Sequence, residues 1–114
     1  MEQEETMYKP SKLFSTFNVA GFKYYDGALA LGKLKPGMKL KMVPEPDNPY
    51  DPYAIELRFK KAKLGYVPRT ENGQIALLAF YGHKGVFEAR VLQVDPEAEP
   101  WNQVRVGIYV TDAR

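Results

Sequence analysis

Cysteine is absent from this chain, and histidine occurs once, at His83. Without cysteine there is neither a disulfide framework nor a thiolate metal site, and a cysteine nucleophile is excluded. One histidine brings the parts of neither a zinc site nor a Ser-His-Asp triad into view, so His83 reads as a solvent-exposed residue beside a helix C-terminus. No apolar run approaches the ~18 residues of a membrane span, and MEQEETMYKPSK lacks the basic-then-apolar pattern of a secretory signal. A net charge of +2 is too small by itself to imply a nucleic-acid partner. The resulting expectation is a soluble, cytoplasmic protein without membrane, metal or cofactor.

What is present is enough for one ordinary core. The 114 residues are 45% hydrophobic and 13% aromatic, which suits a single domain that needs no staples. Residues 1–12 read as a loose polar tail and residues 13–112 as the folded domain. LFSTFNVAGFK (13–23) is rich in aromatic and β-branched types and reads as a strand with Gly21 as a bulge. MKLKMV places Met38, Leu40 and Met42 on one face, and AIELRF does the same with Ile55, Leu57 and Phe59, so two period-2 strands flank EPDNPYDPYAI. KLGYV, VFEARVLQV and VRVGIYV read as further strands. TENGQIALLAFYGH reads as one helix, with Thr70 or Asn72 as N-cap, Ile75, Leu78 and Ala79 at helical spacing, and Gly82 as its stop. About six short strands and one helix in so small a chain predict a mainly β fold, a small OB-like, partly open six-stranded barrel, since closure removes exposed edges.

Candidate chemistry is sparse. GALALGKL (27–34) matches seven positions of the phosphate-binding P-loop and then places Leu34 where Ser or Thr must bind magnesium, so a turn or short helix is preferred. Glu45, Asp47 and Asp51 suggest a magnesium-dependent nuclease only weakly, because acidic residues in turns commonly bond local backbone.

Charge and aromatics are more informative together. Between Lys33 and Arg69 there are nine Lys/Arg against four Asp/Glu, a balance of +5 that leaves the rest of the chain at −3. Tyr24 and Tyr25 adjoin Lys23, and Tyr50, Tyr53 and Tyr66 recur beside the basic strands. Tyrosines interleaved with lysines suit single-stranded nucleic acid, since bases stack on rings while Lys and Arg engage phosphate. The competing reading is that several of these tyrosines are core. In EPDNPYDPYAI, Pro46, Pro49 and Pro52 restrict Glu45, Asn48 and Asp51, which makes a stiff loop.

Three segments, VAGFKYYDG (19–27), EPDNPYDPYAI (45–55) and KLGYVPR (63–69), resemble the HIRAN family in order and spacing. The likeness spans roughly residues 15 to 110. HIRAN domains occur alone in bacteria and at the front of certain helicase-like translocases of DNA repair. The resemblance implies an OB-like barrel whose pocket captures single-stranded DNA, notably a free 3′ end, and serves work on stalled replication forks. It implies that Lys23, Tyr24 and Tyr25 bind phosphate and stack on bases, that Tyr50 is the second aromatic of the pocket, and that Asn48 and Asp51 bond the terminal sugar. Tyr66 and Arg69 would lie on a closing strand, Arg69 holding a further phosphate. The expectation is a binding module and no enzyme, working with a DNA-processing partner in trans. The alternatives are a protein- or peptide-interaction domain using the same groove or a barrel edge and, last, the metal-dependent nuclease.

Overall fold

The structure, a computed structural model, describes residues 11–80 and 84–111. Six antiparallel strands form one sheet: β1 (Ser11–Asn18), β2 (Lys39–Pro44), β3 (Ile55–Phe59), β4 (Ala62–Tyr66), β5 (Phe87–Val94) and β6 (Val104–Thr111). Their order is β1-β6-β5-β2-β3-β4. Ser11 and Lys12, read as tail, are already in the first strand. Helix α1 (Gly27–Ala30) is a single turn and α2 (Arg69–Phe80) is the one long helix. No helix among the described residues is long and apolar enough to cross a membrane.

The sheet curls because β2 serves two neighbours in turn. Lys39 and Leu40 pair with Arg90 and Ala89 of β5, while Lys41 to Pro44 pair with Arg58 to Ile55 of β3. Register shifts between Leu13 and Ser15, Leu57 and Arg58, and Val91 and Gln93 add the local bends that bulges supply. The outer strands then meet at one isolated bridge, where Ala20 and Tyr66 exchange two backbone hydrogen bonds of 2.9 Å. The barrel is therefore partly open, as its strand composition predicts. Gly65 makes the seam possible: at φ 150° it holds a backbone foreign to side-chain-bearing residues, and a Cβ there would lie 2.3 Å from the Ala20 carbonyl oxygen.

The alternation in the strands becomes the core. Leu40, Ile55, Leu57, Leu64, Ala89, Val91, Val104, Val106 and Ile108 all point inward and are buried. Two expectations need correction. The first strand does not run to Lys23, nor is Gly21 a bulge: Val19 bonds the Val104 carbonyl, Ala20 makes the seam, and Gly21 at φ 73° turns the chain into a 3-10 turn, Phe22–Tyr24. Helix α2 begins at Arg69, so Asn72 is no cap. It is buried with Ile75 and Ala76, while Leu78 lies on the exposed side. GALALGKL forms α1 followed by a 3-10 turn, Leu31–Lys33, the short-helix alternative to a phosphate loop. Gly82 and His83 lie outside the described residues.

Candidate nucleic-acid interface

Between the barrel seam, the start of α2 and the proline-rich loop lies a groove of about 400 Å³. Tyr25, Asn48, Tyr50, Asp51, Tyr66 and Arg69 line it, six of the eight residues singled out from the sequence. Lys23 and Tyr24 sit on the neighbouring 3-10 turn, with the Lys23 ammonium 5.7 Å from the Tyr24 ring centre, and do not line the groove. Arg69 belongs to the first turn of α2 and not to the closing strand.

The loop is held from two sides. On the side of β4, Lys63 Nζ donates to Tyr66 Oη (2.8 Å) and Tyr66 Oη donates to Glu45 Oε1 (2.8 Å). The Asn48 Nδ2 amide donates to the same Glu45 oxygen at 3.0 Å. Asn48 Oδ1 in turn accepts from the backbone N–H groups of Tyr50 (2.8 Å) and Asp51 (3.1 Å), the Asx-turn that acidic and amide residues favour in such loops. From α2, Asn72 Nδ2 donates to Asp51 Oδ2 (2.8 Å), Arg69 Nε lies 3.7 Å from that oxygen, and Arg69 Nη2 donates to the Tyr50 carbonyl (2.6 Å). Asp51 Oδ1 accepts from Tyr53 N–H at 2.9 Å. The Tyr50 N–H and carbonyl are both hydrogen-bonded, yet the residue is 83% exposed.

Glu45, Lys63 and Asn72 are the members that sequence reasoning did not assign to the site. Lys63 is the most informative. Its ammonium lies 4.2 Å from the Tyr25 ring centre and 4.5 Å from that of Tyr66, whose rings meet edge-on at 5.8 Å. In a regular strand residues 63 and 66 face opposite sides, but the register shift that leaves Leu64 unpaired brings them to one side. Burial alone would raise the Glu45 carboxyl. The hydrogen bonds from Asn48 and Tyr66 and the Lys63 charge outweigh it and hold the carboxyl below the usual carboxylate value. Burial likewise opposes the Lys63 charge, but the Tyr66 hydrogen bond and neighbouring charges leave Lys63 above the usual lysine value. Tyr66 is pushed up, first by burial and then by its bond to Glu45.

The groove thus offers aromatic faces, two of them backed by the Lys63 ammonium, and polar groups whose capacity is partly used. An ionised carboxylate has about four acceptor sites, and Asp51 has committed two of them to Tyr53 and Asn72, with the Arg69 guanidinium 3.7 Å away as an ion-pair partner. Asn48 has both lone pairs of its Oδ1 engaged and one amide hydrogen left. Glu45, Asp47 and Asp51 do not converge as the nuclease alternative requires, and among the described residues no group of three acidic or histidine side chains is arranged to hold a metal.

Comparison with known proteins agrees with this architecture. The family model described as the HIRAN domain matches residues 13–111. A crystal structure of a Lactobacillus plantarum protein superposes with a TM-score of 0.75 at 26% identity, covering 92% of this chain and 99% of that one. The crystal structure of the HIRAN domain of human HLTF superposes with a TM-score of 0.58 at 22% identity, covering 89% and 77% respectively, a likeness of fold. No curated protein matches the sequence.

Proposed function

Since the chain belongs to the HIRAN domain family, whose members are DNA-binding modules, we propose that its groove captures single-stranded DNA at a free 3′ end. The observation that carries this reading is Tyr50, an exposed ring on a loop in which every neighbouring polar group is tied down. A ring presented so rigidly stacks on a base with little ordering cost, and Tyr25 offers a second aromatic surface across the groove. Lys63 and Arg69 supply positive charge for phosphate. Lys23 and Tyr24, exposed beside the groove, extend the contact along the strand.

End selectivity rests on Asp51 and Asn48. An acceptor site left on Asp51 takes a hydrogen bond from a terminal hydroxyl, and the spare amide hydrogen of Asn48 donates to a sugar oxygen. A carboxylate at that position repels an internal phosphodiester, so ends are preferred over interior sites. The bound end serves repair or fork processing by a partner acting in trans.

Labelled oligonucleotides test this directly. A strand ending in a 3′-hydroxyl is expected to bind more tightly than the same strand ending in a 3′-phosphate, and equal affinity would sink end recognition. Absence of binding by any strand at low salt would overturn the nucleic-acid reading and put the peptide-groove alternative in its place.

A further inference from the structure

A second depression has a volume of about 580 Å³. Its lining combines Phe59 and the 81% exposed Leu29 with Lys33, Lys60 and Lys61. The one carboxylate in its lining, Asp26, spends Oδ2 on the Lys63 backbone N–H at 3.2 Å. Among the described ion pairs none involves the three lysines. Three ammonium groups outside the described ion pairs, set around apolar surface, suit a polyanion that also carries flat hydrophobic groups.

Two further observations point the same way. Lys60 and Lys61 are the whole turn between β3 and β4, and Lys60 stands at φ 55°, the one residue other than glycine with positive φ among those described. Two-residue turns favour Asn-Gly here, and a side chain in the left-handed region costs roughly 1–2 kcal/mol. Charge is kept at this tip against the preference of the turn. The depression and the groove also draw on neighbouring residues: Tyr25 lines one and Asp26 the other, while Lys61 and Ala62 lead directly to Lys63, and Asp26 N–H bonds the Lys63 carbonyl at 2.9 Å. Consecutive Cα atoms are ~3.8 Å apart, so the two depressions lie within reach of one continuous strand.

We propose that this depression is a second subsite, in which Lys33, Lys60 and Lys61 hold the phosphates of the nucleotides that lead into the groove. This rests on the single-strand reading above and adds to it a contact length and a set of residues. The end is read in the groove, and the body of the strand is held on the lysines.

The test measures fluorescence anisotropy of the whole chain with labelled oligothymidylates of about three and about ten nucleotides, spanning the lower range of site sizes for such barrels. The wild type is expected to bind the longer strand more tightly. The variant Lys33→Gln/Lys60→Gly/Lys61→Gln is expected to bind it roughly tenfold more weakly, with a salt slope smaller by about two, at about 0.7 per phosphate contact on a single strand. Its affinity for the shorter strand should stay unchanged. Because glycine relieves the strain at position 60, its melting temperature should not fall, which separates lost binding from lost folding. Binding of the short strand without any gain on lengthening, or a variant that keeps the gain and the salt slope, overturns the second subsite alone. Failure of the wild type to bind either length overturns the groove reading with it.

Discussion

Tyr50 shows how little of a residue's role lies in the residue itself. Its ring makes no contact that the fold needs, whereas its N–H is held by Asn48 and its carbonyl by Arg69. Removing the ring therefore leaves the loop standing. Tyr50→Ala is expected to weaken oligonucleotide binding by about 10- to 100-fold, the loss of one base stack at roughly 1–3 kcal/mol, with an unchanged melting temperature. Tyr50→Phe should retain most of the affinity, since the stacking face and not the hydroxyl is used. Asn72 is the converse case. It is 3% exposed and donates to Asp51, so Asn72→Leu strips a partly buried carboxylate oxygen of its donor and is expected to cost about 1 kcal/mol of stability, seen as a lower denaturant midpoint. Binding should weaken in the same variant, because Asp51 is no longer held where it faces the groove.

The elements differ in how far the sequence reveals them, and the reason is periodicity. MKLKMV and AIELRF alternate without interruption, and β2 and β3 follow, because a strand sends successive side chains to opposite faces. The proline spacing in EPDNPYDPYAI likewise displays a stiff loop, and Asn48, Tyr50 and Asp51 do meet in one groove. What stays hidden depends on departures from period. The unpaired Leu64 sets Lys63 beside Tyr66, and no local pattern announces that shift. Asn72 resembles a cap by composition, but the helix starts three residues earlier and carries it inside. The seam is equally silent, because the Ala20–Tyr66 bridge joins segments far apart in the chain. Its dependence on Gly65 is testable. Gly65→Ala forces a methyl against the Ala20 carbonyl and is expected to destabilise by roughly 1–3 kcal/mol, with faster amide exchange at Ala20 and Tyr66 than in the wild type. Undisturbed exchange at both amides would mean that the seam gives way without cost.

At the scale of the whole molecule, the same tie that shapes the groove sets the pH range in which the barrel is most stable. A carboxyl whose folded pKa lies below its unfolded value binds its proton less readily when folded. It stabilises the fold fully above the ordinary value of 4.5, and that contribution disappears as pH falls through the folded value. Glu45 behaves this way. So does Glu88 on β5, where burial is outweighed by the Arg90 and Lys39 charges. Lys63 and Tyr66 are both raised, so their protonated forms favour the fold below their ordinary values of 10.5 and 10.0, and the contribution is lost as pH rises through the folded values. Thermal stability is thus expected to form a plateau between these limits, with an acid limb belonging to two carboxylates and an alkaline limb belonging to the Lys63–Tyr66 pair. Glu45→Gln should flatten part of the acid limb, and Glu45→Gln/Glu88→Gln more of it. Tyr66→Phe should flatten the alkaline limb and lower the plateau, since Glu45 and Lys63 then lose the hydroxyl that joins them. Melting temperatures measured across the pH range distinguish this from a general charge effect. An acid limb that survives the double variant intact would assign acid unfolding to other carboxylates and leave Glu45 as a local anchor of the loop.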